Sequence, residues 1–156
     1  MILGVATKRL ERLVDERGYF MELGRFEEDP FFADPGVRQA SLPLRLSGVT
    51  AWHLHPTQVD WWWVVEGDLQ VALLDRRSGS PTRDEVNEFL MGEHYDHGFV
   101  LKIPAGVAHG FKVRNGPARL LYFTSLAYNK GEELRLDPRD PELSKLYDWF
   151  RPDPVR

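Results

Sequence analysis

The chain has no cysteine. Disulfides, thiolate metal sites and a cysteine nucleophile are therefore excluded. It has no apolar run of membrane-spanning length. Its start, a few apolar residues followed by Lys8-Arg9, lacks the apolar core of a signal peptide, so a cytoplasmic protein is expected. An excess of positive charge is missing too. A net charge of −4 argues against nucleic-acid or membrane-surface partners, because phosphate backbones select cationic surface. It still permits a small anionic substrate held by one or two arginines. Neither an internal repeat nor a low-complexity linker interrupts the 156 residues, a length that suits a single domain over 1–156.

What is abundant points to β-structure. Thirteen glycines and eleven prolines imply many turns and few long helices. Aromatic residues make up 12% of the chain, which fits strands and a site that stacks on something flat. Residues 8–24 read as a hairpin arm, turning at Asp15-Glu16-Arg17-Gly18, and residues 25–36 as a loop. Strand-like segments follow at 37–46, 49–55, 60–66, 68–75, 86–91, 99–103, 108–113 and 118–125. Eight short strands with turn signals between them suggest a sandwich or barrel. The tail, 139–151, has the apolar spacing of one short helix packed on that barrel.

The chemistry concentrates in two stretches. In 51–60, Ala-Trp-His-Leu-His-Pro-Thr-Gln-Val-Asp, strand alternation points His53 and His55 to one side, and Asp60 returns after a short turn. In 98–109 a strand runs into a Pro104-Ala-Gly106 turn, and His109 opens the next strand. These residues resemble the two motifs of the cupin superfamily. Gly48, His53, His55, Asp60 and Gly67 follow the first, with Asp where Glu is usual and one gap a residue short. Gly98, Pro104, Gly106 and His109 fit the second at each spacing, with Val113 where Asn is usual. The resemblance implies an all-β jelly-roll barrel with its core at about 35–127, and a divalent metal (Fe, Mn, Ni or Zn) held by His53, His55, Asp60 and His109. Metal-free cupins are the alternative, and no organic cofactor is implied. His94 and His97, in a polar loop, read as solvated surface.

A closer resemblance runs from about 13 to 149. Asp15-Glu-Arg-Gly-Tyr-Phe20, Gln39, Arg77-Ser-Gly-Ser-Pro-Thr82, Ile103-Pro-Ala-Gly-Val-Ala-His-Gly-Phe111, Tyr122-Phe-Thr-Ser-Leu-Ala-Tyr128, Leu136-Asp-Pro138 and Tyr147-Asp-Trp149 occur in the order of similar elements in the dTDP-4-dehydrorhamnose 3,5-epimerase (RmlC-like) family. The resemblance implies epimerisation of a keto-sugar nucleotide of the dTDP-4-keto-6-deoxyhexose type in a homodimer. It implies His55 as base, with His53 second, Asp148 as its orienting carboxylate and Tyr122 as the acid. Arg17, Gln39, Trp62 and Tyr128 would bind substrate, with Arg17 reaching the diphosphate across a dimer interface. Two departures stand out. Ala51 replaces a phosphate-binding arginine, and Asp60 falls where the family carries a lysine that stabilises the enolate. A metal ion in place of that lysine would reconcile the two resemblances. The alternatives are a metal-dependent cupin, oxygenase or isomerase, acting on another small molecule, and a barrel that binds a sugar or other ligand without catalysis.

Overall fold

The structure, a computed structural model, describes residues 1–152. In chain order the strands are β1 (Ala6–Arg9), β2 (Arg12–Asp15), β3 (Gly18–Met21), β4 (Gln39–Ser41), β5 (Leu44–Arg45), β6 (Val49–Leu54), β7 (Asp60–Asp75), β8 (Val86–Gly92), β9 (Phe99–Ile103), β10 (Val107–Thr124) and β11 (Leu134–Arg135). Two short helices, α1 (Pro30–Ala33) and α2 (Pro141–Leu146), accompany them. The expected all-β jelly roll with a hairpin arm and a short terminal helix is what forms. None of the helices of the described residues is long and apolar enough to cross a membrane.

One nine-stranded sheet runs β1-β9-β7-β10-β6-β11, with β4 and β5 added along β10 and β8 along β7. β7 and β10 are its spine, pairing antiparallel from Val107–Asp75 to Thr124–Asp60. Four expected segments thus merge into two long strands, because the turn signals at 66–68 and 115–117 are bulges within continuous strands. At Gly67, φ is +72°, and a Cβ would lie 2.4 Å from the Pro117 carbonyl oxygen of the facing bulge, so only glycine fits.

The bulge reverses the inward parity. Trp62 and Val64 face the barrel interior before it; Leu69, Val71 and Leu73 face it afterwards. The opposite parity supplies the outer layers. Trp61 packs with Phe32, Val100 and Phe123, and Ala72 and Leu74 with Trp52, Leu143, Tyr147 and Trp149. The C-terminal segment is therefore a cover on the outside of the sheet. Asp140 caps α2 through the amides of Glu142 and Leu143, and Pro141 occupies the first turn, so the helix begins there rather than at 139. It ends at Leu146, ahead of the extended residue Tyr147.

Three further expectations change. The segment 37–46 divides into β4 and β5, and α1 forms inside the expected loop, started by the Asp29 side chain accepting the Phe31 amide. β1, which the sequence did not reveal, pairs with β9. β2 and β3 make a separate two-stranded arm.

Candidate functional site

The interior opens into a cavity of about 260 Å³ walled by strands from both sides of the barrel. β6 brings His53, β7 brings Asp60 and Trp62, and β10 brings His109 and Phe111 from one half and Tyr122 and Thr124 from the other. β4 brings Gln39, and Tyr128 comes from the loop after β10. His53 and His109 are direct partners across the β6–β10 ladder. That approach depends on Gly110, where a Cβ would fall 2.4 Å from Ala51 Cβ.

Two kinds of histidine emerge. His53 is held by a carboxylate: its Nδ1 lies 3.0 Å from Glu133 Oε1. Burial lowers its pKa, and the Glu133 charge opposes that. Burial acts to raise Glu133, but the Arg135 hydrogen bond and the His53 charge together hold it below the ordinary value. His55 and His109 are instead held by backbone. His55 Nδ1 meets the Glu132 carbonyl at 3.0 Å, and His109 Nδ1 meets the Val107 carbonyl at 3.0 Å. Since a carbonyl only accepts, each of these Nδ1 atoms carries the proton, and each Nε2 is left as a lone-pair donor in the neutral ring.

Asp60 sits beneath them, 4% exposed. Its Oδ1 accepts from Gln58 Nε2 at 2.7 Å, its Oδ2 from Trp62 Nε1 at 3.2 Å, and His109 Nε2 is 3.8 Å from Oδ2. Burial pushes this carboxyl up, against the pull of His55 and those hydrogen bonds. Burial also pushes His109 down to about 3, with the His55 charge acting in the same direction. His55, Asp60 and His109 each offer one ligand atom, all within 4.8 Å of one another. His53, the fourth residue of the expected metal set, is outside this group.

The other expected residues divide cleanly. Gln39, Trp62, Tyr122 and Tyr128 line the cavity; the Trp62 ring stands edge-on to His109 at 5.2 Å, and Gln39 Oε1 accepts the Tyr128 amide at 2.8 Å. Asp148 does not line it. The C-terminal cover carries Asp148 on the outer face of the sheet, where it accepts the Phe150 amide, and the carboxylate beside His53 is that of Glu133. Arg17 does not line the cavity either. It lies at the tip of the β2–β3 arm, paired with Asp15. His97 is not a solvated residue as expected: its ring packs on Trp63 at 5.2 Å, and its Nε2 is buried without a hydrogen-bond partner among the described residues. His94 is more exposed and anchored to Asp68 at 2.8 Å.

Sequence reasoning missed Glu133, Gln58, Arg45 and Arg135, which also line the cavity. β11 is only two residues long and pairs Arg135 with His53 at the sheet edge, so no periodic pattern announces it. The available signal was the charge cluster Glu132-Glu133-Leu134-Arg135 itself.

A jelly-roll barrel with histidines, a carboxylate and a tyrosine converging on one interior pocket defines a cupin-type enzyme site. The family model for dTDP-4-dehydrorhamnose 3,5-epimerase matches residues 1–154. The chain belongs to that sugar-nucleotide epimerase family, and it is an enzyme of the isomerase class. It is 40% identical over 153 residues to the spore coat polysaccharide biosynthesis protein SpsL of Bacillus subtilis, covering 96% of this chain and 97% of that one. It is 33% identical over 147 residues to the probable low-salt glycan biosynthesis epimerase Agl13 of Haloferax volcanii, covering 92% and 87%. Among solved structures, NovW, a 4-keto-6-deoxy sugar epimerase from the novobiocin cluster of Streptomyces spheroides, superimposes with a TM-score of 0.83. It is 26% identical, over 99% of this chain and 78% of that one.

Proposed function

We propose that this pocket epimerises a 4-keto-6-deoxyhexose carried on a nucleoside diphosphate of the dTDP type, with His53 as the base. The carrying observation is the Glu133 carboxylate, 3.0 Å from His53 Nδ1 in the cavity wall. With its negative charge beside Nδ1, Glu133 stabilises the imidazolium that forms when His53 takes a proton. His55, the first choice from sequence, has a neutral carbonyl in that position and lacks this support. In the reaction, His53 takes the proton from the carbon beside the ketone. The C–H electron pair becomes the enolate, and Tyr122 O–H delivers a proton to the opposite face. Gln39, Trp62 and Tyr128 hold the sugar and base, and Arg45 and Arg135 are the cations of the pocket wall available to the diphosphate.

The acting unit in this reading is a homodimer. The free arm carries Leu13, Val14, Tyr19 and Phe20, each more than half exposed, an apolar surface that a second copy would cover. Arg17 at the tip would then serve the neighbouring pocket.

The test is incubation with dTDP-4-keto-6-deoxyglucose in deuterium oxide, followed by NMR. Deuterium entering next to the ketone, and its loss in His53→Gln, is the expected result. No exchange by the native enzyme on this or related keto-sugar nucleotides would overturn the reading.

A further inference from the structure

His53 on β6 and His55 just past its end are both held by one short segment. A single helical turn, Lys130–Glu132, gives way to extended chain at Glu133, φ −106° and ψ 111°, and β11 follows at once. The two adjacent carboxylates then part. Glu133 lines the cavity at His53, and Glu132 reaches Thr57 instead. Glu132 makes three contacts with the stretch between β6 and β7. Its Oε2 accepts the Thr57 hydroxyl at 2.6 Å and the Thr57 amide at 3.2 Å, and its backbone carbonyl accepts His55 Nδ1 at 3.0 Å. The same stretch carries Gln58, whose Nε2 donates to Asp60 Oδ1 at 2.7 Å.

The tie matters because β11 is weak by itself. It is two residues long, both exposed, and it meets β6 through Leu134–Leu54 and Arg135–His53. Its C-terminal side is fastened by the reciprocal backbone bonds of Trp52 and Leu136, at 3.2 and 3.0 Å. On its N-terminal side, next to Glu133, Glu132 carries the tie to the β6–β7 stretch. We propose that Glu132 is a positioning residue of the epimerase. Through Thr57 it holds the segment that sets the Glu133 carboxylate against His53 and its own carbonyl against the His55 ring. The assignment rests on the reading of His53 as base. A misplacement of about 1 Å is enough to lower an enzymatic rate by ~10²-fold, so a tie outside the cavity bears on the chemistry inside it. His109 supplies the internal comparison. The Val107 carbonyl, two residues away on its own strand, holds its ring at 3.0 Å, so loss of the tie should leave that ring unchanged.

The experiment has one arm without substrate and one with it. In protein carrying isotopically labelled histidine rings, NMR of Glu132→Ala should show His55 losing its single Nδ1-protonated form, with His109 as in the native protein. In the deuterium-exchange assay, Glu132→Ala should lower kcat by about 10-fold or more with KM nearly unchanged. Glu132→Gln keeps an oxygen that accepts from Thr57 and should return to within about threefold of native. Thr57→Val, an exposed change that removes only the hydroxyl, should lose about threefold. Near-UV circular dichroism of the five tryptophans checks that each variant is folded, and Thr57→Val carries the same readouts if Glu132→Ala is not. Either native kcat or a native His55 ring in folded Glu132→Ala overturns the proposal. A change at His109 equal to that at His55 overturns it too, because a general loosening of the barrel gives that result. Glu132→Gln no better than Glu132→Ala overturns the hydrogen-bonded tie. A native protein that exchanges no deuterium sinks the epimerase reading, while the ring signals still decide whether Glu132 positions the histidine, so the two failures are separable.

Discussion

Glu133 Oε1 lies 3.0 Å from His53 Nδ1, and Arg135, in turn, donates to the same carboxylate. The carboxylate's charge favours the protonated form of His53, and Glu133→Gln removes that charge while keeping its shape. We expect kcat for epimerisation to fall by about 10²-fold with KM nearly unchanged, the usual scale for loss of acid–base support. Asp148→Asn, on the outer face, should leave kcat within about twofold. Steady-state kinetics of both variants checks the assignment; the reverse order of effects would return Asp148 to the mechanism.

Tyr122 enters the cavity from the second half of β10. If it returns the proton, Tyr122→Phe should separate two readouts. Deuterium exchange at the abstracted position should continue, while formation of the inverted product slows by about 10²-fold. NMR follows both in one sample, and parallel loss of the two would contradict an acid role.

The bulge at Gly67 is a backbone requirement. An alanine there needs φ near +72° and places Cβ 2.4 Å from the Pro117 oxygen. Gly67→Ala should destabilise the fold by about 3 kcal/mol. For a chain of this length, that corresponds to a fall in Tm of roughly 10 °C. Calorimetry or thermal circular dichroism measures it.

Asp75 is fully buried and accepts two hydrogen bonds from the Arg77 guanidinium, at 2.9 and 2.7 Å, with Ser80 and Thr82 hydroxyls at 2.6 and 2.7 Å. The Arg77 bonds first, helped by Ser80 and Thr82, hold its carboxyl well below the usual carboxylate range against the opposing effect of burial. A depressed folded-state pKa stabilises the protein above the unfolded value, near 3.9, and that stability is lost as pH falls through the folded one. Asp75→Asn should therefore cost about 3 kcal/mol at pH 7, with the gap to native protein flat down to about pH 5 and closing below about pH 4. Urea titrations across that range provide the test.

The arm offers a prediction about assembly. Replacing Val14 and Phe20, 74% and 64% exposed, by Asp should convert a dimer to a monomer in analytical ultracentrifugation. A native protein that sediments as a monomer would refute the dimer.

Much of this protein is written locally. Turn residues and alternating apolar segments specify the strands, and the spacing of His53, His55, Asp60 and His109 brings all four to the cavity wall. Asp140-Pro141 specifies where the last helix starts. The order of short motifs along the chain identifies the epimerase family. What the sequence alone did not determine depends on pairing between distant segments. Glu66-Gly67-Asp68 looks like a turn, and only the facing bulge at 115–117 makes it part of one strand. Glu133 and Asp148 are both carboxylates near the C-terminus, but β11 zips beside β6 and delivers Glu133 to His53, while the apolar surface of Tyr147 and Trp149 draws Asp148 to the outside. That His53 takes a carboxylate and His55 a carbonyl is settled by those long-range contacts, whereas the Val107 carbonyl that holds His109 is local. A hydrogen bond reports where two segments meet in space, and sequence spacing does not carry that information.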